Sequence, residues 1–162
     1  MPEAPEIAVV RQFRERVRRG DLGAVALTYR EPQEGPGAAH AIRELRVAGT
    51  RRVQIADRRP EGPPEEADAA LRPEELQALY ETVVEAADEL VPRSQARFLP
   101  DSAVGSLRIE VEGQQADLFF LSDERQRAQQ SVPLSPKAAR SLERLSQTQQ
   151  RLLRGRGQGG GS

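Results

Sequence analysis

Apolar residues recur every three or four positions in three segments of the chain, which is the spacing of one face of an α-helix. These segments are residues 7–19, 73–90 and 136–153. Gly20 follows the first as a C-cap glycine does, Pro73 suits the first turn of the second, and Ser135 can cap the third. The pattern therefore predicts three amphipathic helices, of which the second has the longest continuous apolar stripe.

Five other segments alternate between apolar and polar residues, as a strand with one buried and one exposed face does. They are residues 25–29, 42–47, 53–55, 107–111 and 116–121. Short turns between neighbouring segments, such as Gly113-Gln114, indicate antiparallel hairpins. The element order α-βββ-α-ββ-α therefore predicts an α+β fold, in which an antiparallel sheet of about five strands is covered by helices on one face. The helix from Pro73 is expected to be the main cover.

Segments without either pattern lie at the two ends and in two internal stretches, of which residues 122–130 predict a polar loop. All Leu, Ile, Val and Phe residues lie between Ile7 and Leu153, which predicts a single domain over residues 7–153 and a disordered N-terminus over residues 1–6. Residues 58–70 are rich in Pro, Glu and Arg and predict a mobile loop. Residues 154–162 are Gly-rich and predict a flexible tail, whose last four residues also have the composition of an artificial linker.

Composition narrows the classes of function. The formal net charge of −1 gives no overall attraction to nucleic acid or to an anionic membrane. The absence of cysteine excludes disulfides, iron–sulfur clusters and thiolate zinc sites. No signal peptide pattern and no apolar run of membrane-spanning length is present, so we expect no membrane partner. A cytoplasmic location is the default expectation, and a trimmed exported chain would show the same features.

Residues capable of catalysis are few and isolated. His40 is the only histidine, and no nucleophile or orienting carboxylate stands near it in the sequence. Glu110, Glu112 and Asp117 occupy polar positions of two alternating segments, where we expect them to be solvated and ionised. The sequence contains none of the motifs GxxxxGK[ST], strand-linked GxGxxG or GxSxG. We therefore predict a non-enzymatic protein without a cofactor or a metal site.

Aromatic rings are the first candidates for contact with a partner. Phe119 and Phe120 lie on opposite faces of one predicted strand, so one ring should be buried and the other free to meet a helix or a partner. Phe98 is a third candidate ring. If the domain binds another protein, at least one of these rings should lie in an exposed apolar patch. The leading expectation is accordingly a protein-binding or interaction module.

Arginines near the C-terminus support an alternative. Arg140, Arg144 and Arg151 lie in the last predicted helix, and a single Arg-Gly-Arg-Gly unit follows them. Flexible Arg/Gly segments bind nucleic acid through charge and stacking. An accessory nucleic-acid-binding protein would require these residues to share one face with Arg11 and Arg14 of the first helix.

The layout of four stretches adds a family resemblance. A hairpin-rich strand group (residues 25–59), a Pro-Glu-Glu-Leu helix after a charged loop (71–90), a second hairpin (107–121) and a closing helix (136–153) follow one another. This order resembles that of the emfourin-type small domains. In that family the body binds a thermolysin-like metalloprotease as an inhibitor, so the resemblance implies a metalloprotease-inhibitor-like domain. The glycine-rich opening of that family is replaced by the helix over residues 7–19, and the resemblance assigns no binding residues.

Overall fold

The computed structural model describes residues 4–32, 42–48, 52–58, 65–99 and 102–159. Within these ranges the chain forms four α-helices, seven strands and a short 3₁₀ helix at Arg93–Gln95. The helices are α1 (Pro5–Arg19), α2 (Pro73–Ala87), α3 (Glu124–Gln129) and α4 (Pro136–Gly159). The strands are β1 (Val25–Pro32), β2 (Ile42–Ala48), β3 (Arg52–Arg58), β4 (Glu65–Ala70), β5 (Val91–Pro92), β6 (Val104–Val111) and β7 (Gln114–Leu121). The predicted α+β class is confirmed.

The seven strands form one antiparallel sheet in the order β4-β3-β2-β1-β6-β7-β5. The two predicted strand groups meet at β1, which pairs with β2 on one side and with β6 on the other. Leu27 lies opposite Val47 and Ile109 in this register. Because alternate residues point to opposite faces, the register places one set of apolar residues on a single face, which we call the inner face.

Three helices cover the inner face. α1 packs against β6 and β7, α4 packs against β2, β3 and β4, and α2 contacts both of these helices. Tyr80 and Val83 of α2 are fully buried, and the Tyr80 hydroxyl donates to the carbonyl oxygen of Val25 at 3.3 Å. Burial raises the pKa of Tyr80. The helix from Pro73 therefore reaches the sheet through Tyr80, but the prediction that it is the main cover is wrong, because α1 and α4 pack on more of the strands.

Two aromatic pairs fill the core. The Phe13 and Tyr80 rings meet edge to face with centroids 5.7 Å apart, and the Tyr29 and Phe120 rings stack at 6.0 Å. Gly105 lies opposite Phe120, and a Cβ atom there would lie 2.2 Å from the Cζ atom of that ring. A glycine is therefore required at position 105, since any side chain would displace the Phe120 ring.

The predicted helix caps are present. Gly20 has a φ of +74°, and its N–H donates to carbonyl oxygens of the last turn of α1. Pro73 occupies the first turn of α2. Ser135 accepts from the backbone N–H of Ala138 at 3.1 Å and donates to Glu89 at 2.6 Å. Ser135 thus caps α4 and also ties its first turn to the segment that follows α2.

The predicted disorder over residues 1–6 is wrong for Pro5 and Glu6, which form the first turn of α1. Pro5 has the φ angle that a helix requires at this position. The Glu6 carboxylate accepts from the Ser94 backbone N–H at 3.1 Å and from the Ser94 hydroxyl at 2.8 Å. These contacts fix the start of the helix, and residues 1–3 lie outside the described part of the chain.

The predicted loop over residues 58–70 is wrong for Glu65–Ala70, which form β4. This segment lacks the β-branched and aromatic residues typical of strands. It pairs with β3, placing Asp68 opposite Gln54, so backbone hydrogen bonds to an existing strand order it. Ala69 of β4 packs against the core. Residues 59–64 of the predicted loop lie outside the described ranges.

Two further segments are more helical than predicted. α3 lies in the expected polar loop at residues 122–130, and its N-cap Asp123 accepts from the Arg125 N–H at 2.8 Å. The backbone of α4 continues to Gly159, although a flexible tail was predicted from residue 154. Extending an existing helix requires no new nucleus, so glycines of low helix propensity can be added at its end. Residues 160–162 lie outside the described ranges.

Candidate functional site

The three candidate rings do not form the exposed apolar patch that was predicted. Phe120 is only 4 % exposed and lies in the core beside Tyr29, so its assignment as an interaction residue is wrong. Phe119 points to the opposite face of the sheet and is half-buried beside β5. Phe98 is also half-buried. Among the described residues, the one large apolar side chain that is well exposed is Leu99.

The predicted arginines separate into two groups. Arg140, Arg144 and Arg151 are exposed on α4, whereas Arg11 and Arg14 are exposed on α1. α2 lies between these two helices, because it contacts both of them. The shared face that a nucleic-acid interface would require is therefore not formed by the five residues.

Two of the predicted arginines line a groove between α2 and α4 with a volume of about 480 Å³. We call it the α2–α4 groove. Glu75, Ala78, Leu79 and Thr82 form the α2 wall, Arg144, Gln147, Thr148 and Arg151 form the α4 wall, and Leu71 lies at one end. In each wall the residues follow the spacing i, i+3, i+4 and i+7, so each wall is one helix face about 10.5 Å long.

Contacts at one end of the groove fix the position of α4. The Ser141 hydroxyl, on a residue that is 1 % exposed, donates to the Glu85 carboxylate of α2 at 3.0 Å. On the inner side of α4, the Gln149 amide nitrogen donates to the carbonyl oxygen of Tyr29 in β1 at 3.4 Å. Because both sides of α4 are held, the face with Arg144 and Arg151 is directed towards the groove.

The floor of the groove is apolar. Leu71 and Leu79 are 5 % and 7 % exposed, and both belong to the core cluster. Ala78 is exposed on the wall of α2. Ala78 and Leu79 thus give the middle of the α2 wall an apolar strip that continues to Leu71, and we call this strip the floor of the groove.

The two arginines of the α4 wall are weakly engaged. The nearest carboxylate to Arg144 among the described ion pairs is that of Glu85, at 4.0 Å, and the Arg144 side chain is 63 % exposed. An exposed ion pair at this distance contributes little to the free energy of folding. Arg151 is exposed and forms no ion pair within the described residues. Neither guanidinium group is therefore held tightly by a carboxylate of the described residues.

The carboxylate of the opposite wall already has a partner. Glu75 accepts from the Nε atom of Arg72 at 2.9 Å and from the Arg72 backbone N–H at 3.2 Å. This hydrogen bond holds the pKa of Glu75 below its usual value, with a smaller contribution from the charge of Arg151. Since Arg72 compensates Glu75, the groove presents a positive α4 wall beside a nearly neutral α2 wall.

The outer face of the sheet, opposite the face that α1, α2 and α4 cover, carries ion pairs. Glu44 pairs with Arg30 and Arg46, and Asp117 pairs with Arg108 at 2.8 Å and with Arg93 at 3.7 Å. The expectation that Asp117 is solvated is wrong, because its side chain is only 13 % exposed. Arg108 lies opposite Asp117 in the register, so a guanidinium group faces this carboxylate.

The other residues considered for catalysis form no further candidate site within the described part of the chain. His40 lies outside the described residues. Glu112 is exposed in the turn between β6 and β7, where it pairs with Arg16. Within the described ranges, no three His, Asp or Glu side chains are placed so that they could hold a metal ion. In the same ranges, every helix is too short or too polar to cross a membrane.

Sequence reasoning identified Arg144, Arg151 and the apolar stripe that contains Leu79, but it did not identify the groove. Gln147 and Thr148 were missed, although their spacing from Arg144 would have placed them on the same helix face. No protein-family model matches the chain, and no curated protein matches it. A functional hypothesis must therefore come from the geometry of the molecule.

Proposed function

We propose that this domain is a non-enzymatic protein-binding module that holds a segment of another protein in the α2–α4 groove. The observation that carries the proposal is the pairing of an apolar floor with two exposed, weakly engaged arginines on one wall. Apolar contact area provides affinity, and charges at the edge of an interface select the partner.

The hydroxyl groups of the groove favour binding over catalysis. Thr82 donates to the carbonyl oxygen of Ala78 at 2.9 Å, and Thr148 donates to that of Arg144 at 2.8 Å. Both hydroxyls are thus bonded within their own helices. A nucleophilic hydroxyl would instead need a neighbouring base, and neither wall offers a histidine.

A photo-crosslinking experiment tests the proposal. Ala78, exposed on the α2 wall, is replaced by p-benzoylphenylalanine, and the control variant carries the same group at Gln115, exposed on the outer face of the sheet. After irradiation in an extract of the source cells, we expect an adduct of defined mass only from the Ala78 variant. An excess of the unmodified chain should compete it away.

Adducts that are identical for the two variants, or the absence of any adduct, would contradict the proposal. A second arm tests the function that the resemblance to emfourin-type domains implies. Here the unmodified chain is assayed for inhibition of a thermolysin-like metalloprotease, and inhibition that is lost in the Ala78 variant but kept in the Gln115 variant would place such a protease at the groove.

A further inference from the structure

We infer that the occupant of the α2–α4 groove is an amphipathic α-helix of the partner, with two carboxylates seven residues apart and apolar residues between them. This inference rests on the proposed function and specifies the chemistry of its partner. Its three supports are the spacing of the groove walls, their charge and the apolar floor.

The spacing of the walls fits a third helix. Each wall repeats at i, i+3, i+4 and i+7, and two helices pack when the side-chain rows of one fit between those of the other. A partner helix presents rows with the same repeat over the same length of about 10.5 Å. Helices recognised in grooves bind through anchors at this spacing.

The charge of the walls selects acidic residues. Arg144 and Arg151 are separated by seven residues, so their Cα atoms lie about two helical turns apart along α4. Two Glu or Asp residues at positions i and i+7 of a partner helix have the same separation. A partner with lysines at these positions would place like charges together, which disfavours binding.

The floor requires apolar residues between the two carboxylates. Leu79 and Ala78 lie between Glu75 and Thr82 along the α2 wall, about midway along the groove. A partner helix that places its carboxylates on Arg144 and Arg151 directs positions i+3 and i+4 to this strip. Leucine at these positions would bury apolar area against the floor.

Three synthetic helical peptides of about 15 residues, each stabilised by a side-chain staple, test the inference because such short helices are marginal in water. All carry leucine at i+3 and i+4, and they differ only in carrying Glu, Gln or Lys at both i and i+7. Binding to the full chain is measured by fluorescence anisotropy. We expect the Glu peptide to bind about tenfold more tightly than the Gln peptide, and the Lys peptide to bind least.

The decisive variant is the double substitution Arg144→Glu and Arg151→Glu. It should invert the order of affinities, so that the Lys peptide binds most tightly. The matched control is Arg140→Glu, an exposed residue of the same helix outside the groove lining, and it should leave every affinity within about twofold. Arg144→Gln with Arg151→Gln serves as a milder pair that should remove the preference for Glu without inverting it.

Equal binding of the three peptides, or an order that the double substitution does not invert, would overturn the inference. In that case a partner adduct from the Ala78 crosslinking variant would still support the groove as a protein-binding site. An Ala78 adduct formed between two copies of this chain would overturn the inference of a separate acidic partner. Loss of all adducts would instead overturn the proposed function itself.

Discussion

The two faces of the sheet belong to the same strands but carry different residues, apolar and buried on the inner face and mostly polar on the outer face. On the inner face, Leu27 of β1 and Ile109 of β6 lie opposite each other and are at most 1 % exposed. On the outer face, the next pair along the same strands is Thr28 and Arg108, and both are half-buried. Because the backbone pairing is common to both faces, we expect stability to come mainly from the apolar residues of the inner face, while the outer face contributes matched charges.

One end of the inner face departs from this division. Glu31, 13 % exposed in its side chain, accepts from the hydroxyls of Tyr29 and Ser146, each at 2.9 Å. Arg43 lies 3.9 Å from the same carboxylate. Burial raises the pKa of Tyr29 well above its usual value, and the neighbouring Glu31 charge adds to the effect. A carboxylate thus links β1 and β2 to α4 at a place where most neighbours are apolar.

The largest difference between the faces should appear in the free energy of unfolding when two consecutive residues of β6 are each replaced by alanine. Leu107 is 0 % exposed on the inner face, and Leu107→Ala should lower the free energy of unfolding by about 2–5 kcal/mol because it leaves a cavity. Ser106→Ala, on the outer face, should change it by less than about 0.5 kcal/mol. Urea unfolding measures the free energy of unfolding of both variants. Similar decreases in the two variants would show that the two faces contribute equally to stability.

The charged exception on the inner face gives the next largest effect. Glu31→Ala removes the acceptor of two hydroxyls and a carboxylate near Arg43, so it should cost about 1–3 kcal/mol of unfolding free energy. Glu31→Gln keeps an acceptor at the same place and should cost less. If both variants were as stable as the natural chain, Glu31 would contribute nothing to the free energy of unfolding. The inner face would then stabilise the fold through its apolar residues alone.

The main strands and helices could be predicted because their patterns are local. Alternation in β6 and the apolar stripe of α2 each reflect a face that is buried along its full length. β4 could not be predicted, because its sequence Glu-Glu-Ala-Asp-Ala-Ala carries no strand signal and its order comes from pairing with β3. The start of α1 was missed for a similar reason, since Ser94 fixes Glu6 from a distant segment.

The candidate site was predictable only in part. The charge and exposure of Arg144 and Arg151 follow from their polar positions in an amphipathic helix. Their relation to Leu79 does not, because it depends on how α4 lies against α2, and contacts such as that of Ser141 with Glu85 join residues far apart in the sequence. Both Phe119 and Phe120 are candidates for contact with a partner by sequence, because alternation alone does not say which of two adjacent rings faces the core.

On the outer face, Glu44 is 5 % exposed, and its contribution to stability should depend on pH. Burial alone would raise the pKa of this carboxyl, but the hydrogen bonds and charges of Arg30 and Arg46 outweigh it and lower the pKa. A lowered pKa stabilises the folded state above the unfolded value near 4.5, and this stabilisation is lost as the pH falls through the folded value. Glu44→Gln should therefore cost about 1 kcal/mol near neutral pH.

The difference between Glu44→Gln and the natural chain should shrink as the pH falls below 4.5, because the natural side chain then becomes neutral as well. Urea unfolding of both chains in a series of buffers from neutral to acid pH measures this convergence. Other carboxylates titrate in both chains and cancel in the comparison. A difference that stayed constant over the whole range would show that Glu44 contributes by its shape and hydrogen bonds and that its charge is irrelevant.

The smallest effect should belong to the cross-strand pair of Arg108 and Asp117, whose side chains are 39 % and 13 % exposed. Arg108→Ala, Asp117→Ala and the double variant form a thermodynamic cycle, and we expect a coupling energy of about 0.2–1 kcal/mol. Arg93 remains near Asp117 when Arg108 is removed, which keeps the coupling low. Raising the salt concentration to about 1 M should lower it further by screening. A coupling energy above about 2 kcal/mol that does not change with salt would mean that the ion pairs of the outer face stabilise the fold strongly. The expectation that stability comes mainly from the inner face would then be wrong.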